Sequence, residues 1–372
     1  MNSHCDILVI MTNLIMTISD YANYGNRLQN YALQTVLSDY GVTTTAHHQT
    51  DAANNKQILK RIASKSISTA AAHVLRGQRL LELMRVRKGI TFTKRYVPDN
   101  QFTITAKSGL VSQKGATVNR IIIGSDQVWN PQWITNHDLA LRLGAFAPQN
   151  CPIISYAASF GVSSVSDDAK RVFQKYLPRF KAVSVREFQG ATLVEEMTGL
   201  KAEVVLDPTL MVNSNKWINI TEKFVNKNEK YVLTYFLGQV SDEQERDIQE
   251  FARDRGLKIR RILDFRDPET YVAGPQDFVE LFAKAEYIFT DSYHACCFSV
   301  LFHKQFTVFN RAGMSGTANM NSRMETLFKL LDIDHVVTDS GVAPTIDYSK
   351  IDTKLTEARV RSAHWLNKTI QQ

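Results

Sequence analysis

The stretch YIFTDSYHACCFSVLFHKQFTVF, residues 287–309, indicates how this chain folds. Its first residues, Tyr287–Thr290, are predicted to form a β-strand because they are apolar and end in a polar turn. The apolar segment His294–Leu301 is predicted to be a helix, and Phe306–Phe309 is predicted to be a second strand. A strand, a helix and a second strand in this order form the βαβ unit of a parallel sheet.

The same alternation runs through most of the sequence. Nearly continuous apolar runs, such as Ile153–Ala157 and Tyr231–Phe236, are typical of strands that are covered on both faces. Their order predicts an α/β fold of two Rossmann-like, doubly wound lobes that face a cleft, with ligands at the carboxyl ends of the strands. We predict an N-terminal lobe over residues 1–212, a C-terminal lobe over 213–350, and a final helix over 351–372 that packs back on the N-terminal lobe.

The composition is that of a globular protein with two domains. The chain has 372 residues, of which 44% are hydrophobic and 22% are charged. The apolar run Ile7–Met16 is interrupted by Thr12 and Asn13, and it is shorter than the roughly 20 residues of a membrane span. No basic segment precedes it, so we expect a buried first strand, Ile7–Met11, and no signal peptide.

The four cysteines predict neither a disulfide framework nor a structural zinc site, because no two are spaced as CxxC. We therefore expect no metal and a reducing, cytoplasmic location. Cys296 and Cys297 lie close to His294 in the sequence, which raises the question of a thiol or metal site. Free cysteines usually behave as small buried hydrophobes, and packing is the expected role of both.

The net charge of +7 is concentrated in one basic segment, residues 56–95. This segment has eleven Lys and Arg residues against Glu82, a local charge of +10, so the rest of the chain carries −3. Such a distribution argues against a nucleic-acid-binding protein with charge spread over a broad face. Leucines alternate with the cations, which leaves two interpretations open. The segment could contact an anionic membrane from the inner face, or it could be a solvated helix.

Polar residues follow several predicted strands, at the edge where the carboxyl ends of parallel strands meet. Gly25 and Asn26 are predicted to form a turn into a helix, whose N-terminus can bind an anion; a plain turn is the alternative. Neither a GxGxxG nor a GxxxxGK[ST] motif is present, so the sequence offers no dinucleotide or ATP fingerprint.

The stretch IIIGSDQVWNP, residues 121–131, ends a predicted strand in a small polar turn. Ser125 allows a close backbone approach, and Asp126 and Gln127 are expected to project at the end of the strand. Trp129 offers a flat surface on which a sugar could stack. The alternative is a capped turn with a tryptophan in the core.

Charged residues at other strand ends suit an anionic ligand. Arg186 directly follows a strand and begins a helix, where a planar cation can bind a carboxylate or a phosphate; an ion pair with an acid is the alternative. Asp291, Ser292 and His294 follow Tyr287–Thr290, and His294 lies near a helix N-terminus, which lowers the pKa of an imidazole.

Two further arginines flank a loop rich in Gly, Ser and Asn. Arg311 follows the strand Phe306–Phe309, and Arg323 lies at the start of the next predicted helix. We expect both to face the cleft, where they would suit a small polyanionic substrate. The alternative for Arg323 is an ordinary residue at a helix start, where a cation is disfavoured by the helix dipole.

Taken together, several segments resemble the polysaccharide pyruvyl transferase family. They occur in the right order between residue 21 and about residue 331: YGNRLQNYALQ, GSDQVWNP, SYAASFG, SVREFQG, VVLDPTLM, the long stretch from GPQDFVELF to TVFNR, and NSRMETLFKLL. The resemblance implies a two-lobed fold like that of the B-type glycosyltransferases. It also implies transfer of the pyruvyl group of phosphoenolpyruvate to a hydroxyl pair of a sugar, as a ketal, in a capsule, exopolysaccharide or cell-wall polymer.

The family resemblance also implies roles for individual residues. Arg186 matches an arginine of the donor site, and His294 matches a histidine of the C-terminal lobe. In many members Arg-Leu precedes that histidine, whereas this chain has Ser292 and Tyr293. We hypothesise that Arg311 or Arg323 supplies the missing charge.

The chemistry implied by the resemblance needs a general acid, cations for the carboxylate and phosphate of the donor, and a base for the hydroxyl. We predict His294 as the acid and Arg186 as the anion clamp, with Asp126 and Asp291 as bases or as groups that orient the histidine. Phosphoenolpyruvate is the expected donor, without a cofactor, and a sugar or lipid-linked oligosaccharide is the expected acceptor. The alternatives are a nucleotide-sugar-dependent glycosyltransferase of the same fold and a non-catalytic sugar-binding module.

Overall fold

The computed structural model describes residues 12–48, 70–99, 101–105, 109–112, 117–226, 228–311 and 322–371, without the side chains of 70–76. Three sequence predictions fall outside these residues: the strand Ile7–Met11, the first part of the basic segment, and the loop between Arg311 and Ser322. The described residues form an α/β structure with two lobes, as predicted.

The N-terminal lobe is built on a parallel sheet. Its strands are β1 (Thr12–Met16), β2 (Val42–Thr45), β6 (Arg120–Ile123) and β7 (Ile153–Ser155), in the order β2-β1-β6-β7. Two small sheets extend this lobe: β3 (His47–His48), β4 (Phe102–Thr105) and β5 (Gly109–Ser112) form one, and β8 (Ser184–Val185) and β9 (Glu203–Val204) form the other. All four residues of β6 are buried. This burial on both faces explains the continuous apolar run in the sequence.

The C-terminal lobe contains a second, five-stranded parallel sheet. Its strands are β10 (Tyr231–Tyr235), β11 (Lys258–Ile262), β12 (Tyr287–Thr290), β13 (Phe306–Phe309) and β14 (Val337–Thr338), in the order β11-β10-β12-β13-β14. Ile288 of β12 pairs with Leu233 on one side and Phe306 on the other. The βαβ unit predicted from residues 287–309 therefore lies in the middle of this sheet.

Helices cover the sheets and connect the lobes. The first five are α1 (Tyr24–Leu37), α2 (Ala70–Tyr96), α3 (Asn136–Arg142), α4 (Asp167–Tyr176) and α5 (Phe188–Thr198). The short helices α6 (Pro208–Met211) and α7 (Ser214–Ile218) lie at the lobe boundary. The remainder are α8 (Asp242–Asp254), α9 (Pro268–Tyr271), α10 (Pro275–Lys284), α11 (Tyr293–Leu301), α12 (Ser322–Leu331) and α13 (Tyr348–Gln371).

Side-chain caps fix where several of these helices begin. The Asn23 side chain accepts a hydrogen bond from the Asn26 N–H at the start of α1. At the start of α8, the Ser241 hydroxyl accepts from the Gln244 N–H, and the Gln244 side chain accepts from the Ser241 N–H. This reciprocal capping box satisfies two N–H groups that the helix itself leaves unpaired.

One of the hydrophobic clusters spans both lobes. Tyr24 and Leu28 of α1 lie in the same buried cluster as Phe278 and Phe298 of the C-terminal lobe. The Tyr24 ring stacks on Phe278 with 5.0 Å between the centroids, and its hydroxyl donates to the carbonyl of Ala273 at 2.8 Å. Helix α1 is therefore packed directly against the C-terminal lobe beside the cleft.

The final helix, α13, contacts both lobes. Ile351 and Leu355 pack into the C-terminal core, whereas Leu366 and Ile370 pack against the N-terminal sheet. Near its end the carbonyl of Ile370 accepts a hydrogen bond from Arg120 at 2.9 Å.

Helix α2 carries the described part of the basic segment, and several of its cations contact other parts of the chain. Lys88 pairs with Asp277 at 2.6 Å and Arg95 with Glu222 at 2.8 Å, both in the C-terminal lobe, and Arg85 donates to the carbonyl of Ala22. These contacts give part of the basic segment a structural role. Membrane contact through residues 56–95 stays a prediction, and none of the described helices has the length and apolar composition of a membrane span.

Candidate active site

The candidate site is a cavity of about 200 Å³ between the lobes, at the carboxyl ends of both large sheets. The N-terminal lobe contributes residues that follow β1 and β6, and the C-terminal lobe contributes residues that follow β10, β12 and β13, together with the first turn of α12. Of the predicted site residues, the lining includes Asn26, Asp126, Gln127, Asp291, Ser292, His294, Arg311 and Arg323. Gly25, Ser125, Trp129 and Arg186 do not line it.

His294 lies where the two lobes meet. It is in the first turn of α11, and its ring packs against Gly25 at the start of α1. The approach is so close that a Cβ at Gly25 would lie 2.2 Å from His294 Nδ1. His294 Nε2 is buried without a hydrogen-bond partner among the described residues, and the nearest carboxylate oxygen, Asp207 Oδ2, is 3.9 Å away.

The surroundings of His294 favour the neutral imidazole. Burial lowers the pKa of His294, and the guanidinium groups of Arg186 and Arg323 lower it further. The carboxylates of Asp126 and Asp207 act in the opposite direction, but the net pKa lies below the ordinary 6.5. An anion in the cavity would add negative charge beside the ring and raise this pKa.

Behind the cavity lies a buried ionic cluster. Arg186 donates to Asp207 Oδ2 at 2.6 Å and to Asp126 Oδ1 at 3.0 Å, and its side chain is fully buried. Asn26 donates to the other oxygen of Asp126. Burial would raise the pKa of Asp126, but Arg186, His294 and Arg323 outweigh it and lower the pKa to about 2. Asp126 is therefore a permanently ionised, weakly basic group.

This cluster changes the role that we predicted for Arg186. Its two terminal nitrogens are bonded to carboxylates, and the residue does not line the cavity. The geometry thus makes Arg186 a positioning residue that fixes Asp126 and Asp207, rather than a clamp in contact with an anion. Its guanidinium also lies over the ring of Tyr293, 4.3 Å from the centroid.

Asp207 is the member of this cluster that our sequence analysis missed. Its Oδ1 caps α6 by accepting from Thr209, and its Oδ2 accepts from Arg186 and from the Ser125 hydroxyl. The available signal was an Asp-Pro pair after β9 within VVLDPTLM, one of the segments that carry the family resemblance. Ser125 thus supports the ionic cluster instead of contacting the cavity.

Arg323 is the buried cation that faces the cavity. It is only 4% exposed, and among the described residues no carboxylate pairs with it. With the Gln127 amide in its favoured orientation, the carbonyl oxygen of Gln127 accepts from both terminal nitrogens at 2.7 Å. Burial and the nearby Arg186 lower the pKa of Arg323 to about 10. A buried guanidinium without a carboxylate is a strong attractor for an anionic ligand.

Arg311 reaches the same cavity from the end of β13. Its Nε donates to Asp291 Oδ2 at 2.7 Å. Asp291 also accepts from the N–H groups of Leu237 and Gly238, each at 2.7 Å. These three donors indicate that Asp291 orients Arg311 and the loop after β10. Of the carboxylates, Asp207 and Asp126, rather than Asp291, are those that act on His294.

Two tryptophans near the end of β6 lie in different surroundings. Trp129, predicted as a sugar-stacking residue, is fully buried among Phe160, Phe173 and Phe180, and its indole N–H donates to the carbonyl of Arg142. The prediction for Trp129 was wrong, because the residue completes the N-terminal core. Trp133, four residues later, lines the cavity and is 59% exposed.

Cys296 and Cys297 are buried in α11, and burial raises the pKa of both thiols above their ordinary value. Both belong to the shared hydrophobic core. Among the described residues, no three His, Cys, Asp or Glu side chains are grouped as a metal ion would require.

The sequence model of one family, described as polysaccharide pyruvyl transferase, matches residues 23–313. The match covers more than three quarters of the 372 residues. The chain belongs to the polysaccharide pyruvyl transferase family. It is therefore a member of a family of transferases, as predicted. None of the curated proteins matches it.

Several solved structures are similar to this family member at low identity. A Listeria monocytogenes protein proposed to be a UDP-N-acetylglucosamine 2-epimerase is 9% identical, with 95% of this chain and 91% of that chain covered and a TM-score of 0.46. Arabidopsis thaliana UGT89C1, complexed with quercetin, is 11% identical, with 97% and 94% covered and a TM-score of 0.43. The UDP-GlcNAc 2-epimerase of Methanocaldococcus jannaschii is 10% identical, with 93% and 91% covered and a TM-score of 0.41. Conclusions about the fold rest on the sheets of the chain itself.

Ser292 and Tyr293 directly precede His294, at the position for which the family resemblance implied Arg-Leu. Ser292 lines the cavity, and the Tyr293 ring lies near both Arg186 and Arg323. Arg311 and Arg323 line the same cavity as Ser292. The positions of Arg311 and Arg323 are thus compatible with our hypothesis that one or the other supplies the missing charge.

The contact between Gly25 and His294 gives a first testable prediction. In Gly25→Ala, the new methyl group would overlap a buried ring, so the imidazole must move. We expect the catalytic rate to fall on the order of 100-fold, because displacing a catalytic group by about 1 Å can lower the rate by this factor. The loss cannot arise from helix propensity, which favours alanine over glycine.

The matched control is Gly77→Ala in α2, where a Cβ would have no heavy atom of the described residues within 4 Å. Steady-state rates of the two variants, with circular dichroism to verify folding, make the comparison. Full activity in Gly25→Ala would show that the position of the His294 ring is unimportant.

Proposed function

We propose that this chain transfers the pyruvyl group of phosphoenolpyruvate to two hydroxyls of a sugar, forming a cyclic ketal in polysaccharide biosynthesis. The observation that supports the proposal most strongly is Arg323, a buried cation beside His294 that faces the cavity without a carboxylate partner among the described residues. Arg311 adds a second cation to the same cavity. Phosphoenolpyruvate offers a carboxylate and a phosphate on one small molecule, which matches two guanidinium groups.

The proposed reaction begins with proton transfer to the methylene carbon of phosphoenolpyruvate. Positive character then develops at the carbon that bears the phosphate, and a sugar hydroxyl adds there and releases its proton. The bond from this carbon to the phosphate oxygen breaks, and inorganic phosphate leaves. A second hydroxyl adds to the same carbon and loses its proton. The products are the pyruvate ketal and hydrogen phosphate, and the two hydroxyl protons account for the new methyl group and the phosphate.

His294 is the proposed proton donor for the first step. In the empty cavity its lowered pKa makes it neutral at pH 7. The negative charges of the donor would raise this pKa on binding, so that the imidazole becomes protonated. After giving up that proton, the neutral ring can accept one from the sugar hydroxyl. One residue could therefore act first as acid and then as base.

The carboxylates have supporting roles in this proposal. The low pKa of Asp126 makes it a poor base, and both of its oxygens are already hydrogen-bonded. Asp291 is held by Arg311 and two backbone N–H groups. We infer that Asp126 and Asp207 stabilise the positively charged imidazole, whereas Asp291 orients Arg311.

The test is phosphate release from phosphoenolpyruvate in the presence of hexose glycosides with free hydroxyl pairs, with the sugar product analysed by mass spectrometry. We expect phosphate release that depends on the acceptor and a product carrying the added pyruvate. Binding of a nucleoside diphosphate by calorimetry, without any turnover of phosphoenolpyruvate, would instead favour a glycosyltransferase. Absence of both turnover and phosphoenolpyruvate binding would overturn the proposal.

A further inference from the structure

The lining of the cavity is chemically divided between its interior and its rim. The interior has Arg323 and Arg311 beside His294, and it also has two carboxylates, each of which accepts a hydrogen bond from an arginine. Part of the rim comes from the N-terminal lobe and has an aromatic ring, Trp133, together with Asp20. The guanidinium groups of the interior suit the anionic donor, whereas an aromatic ring with a carboxylate suits a neutral ligand that is rich in hydroxyl groups.

The exposure of Trp133 is unusual for this chain. Trp129 and Trp217 are fully buried, and each donates its indole N–H to a backbone carbonyl, of Arg142 and of Thr209 respectively. Trp133 is 59% exposed, and no hydrogen bond to another described residue holds its indole. A large aromatic side chain that is exposed at the rim of a polar cavity marks a ligand surface more readily than a structural role.

The neighbouring polar groups can complete such a surface. One carboxylate oxygen of Asp20 accepts from the Ala22 N–H at 2.8 Å, and its second oxygen has no partner among the described residues. Asn23, also in the lining, caps α1 through its carbonyl oxygen, so its amide N–H₂ group remains a donor. An acceptor and a donor beside an aromatic ring are the groups that a pyranose requires, because its hydroxyls surround apolar C–H faces.

We infer that Trp133 is the stacking platform for the acceptor sugar, with Asp20 and Asn23 binding its hydroxyls. This inference rests on the proposed function for the identity of the second ligand. The donor would occupy the interior beside Arg323 and Arg311, and the acceptor would cover it from the rim of the N-terminal lobe. Trp133 thus takes the sugar-stacking role that the sequence suggested for Trp129, which lies four residues earlier in the chain.

The principal experiment compares Trp133→Ala with Trp133→Phe in steady-state kinetics. Loss of the ring should raise the KM for the hexose acceptor about 10-fold or more and leave the KM for phosphoenolpyruvate unchanged. Trp133→Phe keeps an aromatic face and should retain most of the acceptor affinity. Asp20→Asn should also raise the KM for the acceptor alone. Val360→Ala, which changes an exposed apolar residue on α13, is the surface control.

A second readout does not require turnover. Hexose glycosides that bind should change the tryptophan emission of the wild-type protein, and Trp133→Phe should abolish that change. If phosphoenolpyruvate is not a substrate but the sugar-dependent emission change is lost in Trp133→Phe, the proposed function is wrong. The assignment of Trp133 as a sugar-stacking residue is then retained. An unaltered acceptor KM in Trp133→Ala, or an emission change that persists in Trp133→Phe, would overturn the platform. Absence of any sugar-dependent signal in the wild type, together with absence of turnover, would overturn both.

Discussion

Replacing His294 with glutamine is expected to lower kcat for pyruvyl transfer by roughly 100-fold to 10,000-fold, the usual contribution of a general acid. Glutamine keeps a polar side chain of similar length but cannot carry the proton that the methylene carbon needs. The KM for phosphoenolpyruvate should change little, because Arg323 and Arg311 remain in the cavity. His303→Gln on the surface, where His303 pairs with Asp352, is the matched control and should keep full activity.

The pH dependence gives an independent signature of the same role. An acid must be protonated, so kcat/KM should fall as the pH rises through the pKa of His294 in the free enzyme. Because burial lowers that pKa below 6.5, the descending limb should begin below pH 6.5. In the complex with the anionic donor the pKa should be higher, so kcat should fall only at higher pH.

The pH profile of His294→Gln distinguishes titration of the histidine from titration of the substrate. A limb that arises from titration of the donor phosphate would persist in the variant, whereas the limb of His294 would disappear. A wild-type kcat/KM that increases with pH across this range would contradict the acid role and assign His294 as a base only.

Replacing Arg323 with alanine is expected to remove most of the affinity for phosphoenolpyruvate. Loss of one partner of a buried, hydrogen-bonded charge pair typically costs about 2–5 kcal/mol. This cost corresponds to a rise in the dissociation constant of roughly 30-fold to several thousand-fold. Calorimetry with phosphoenolpyruvate alone measures the effect without any acceptor.

The stability of the same variant should behave in an unusual way. Most substitutions of buried residues lower the melting temperature, but Arg323 is a buried charge without a carboxylate partner among the described residues. Removing it should leave the ligand-free protein as stable as the wild type, or more stable. Phosphoenolpyruvate should raise the melting temperature of the wild type and not of the variant. Arg253→Ala, at an exposed pair with Asp254, is the control.

A variant with normal donor affinity and a large loss of stability would reverse this interpretation. It would mean that Arg323 holds α12 in place and that the donor binds elsewhere.

The βαβ pattern was the most predictable part of the fold. Residues 287–309 formed the expected strand, helix and strand because their apolar runs are long and end in polar turns. The strands β4 and β5 were not predicted, because FTIT and GLVS mix polar with apolar residues, and β5 is half-buried or exposed along its length. A continuous apolar run, the signal that identified the buried strands, is therefore absent from both.

Prediction of the site was limited by contacts between residues that are far apart in the sequence. Strand ends predicted the positions of His294 and Arg311, and a helix start predicted that of Arg323, since the carboxyl edge of a parallel sheet follows from its topology. The partners of Arg186 are Asp126 and Asp207, which are 60 and 21 residues away in the sequence. The residues next to Arg186 therefore gave no indication that carboxylates neutralise its charge. Trp129 and Trp133 lie in one short turn, and only the packing of three phenylalanines around Trp129 distinguishes them.

The core that both lobes share has a consequence for dissecting the protein. A cut at residue 212 would strip the C-terminal sheet of the Tyr24 and Leu28 side chains and leave their apolar cavities open to water. The same fragment boundary would deprive the N-terminal sheet of Leu366 and Ile370 at the far end of the chain. Both fragments would expose apolar surface at the junction, so we expect each separated half to be less stable than the same residues in the intact chain.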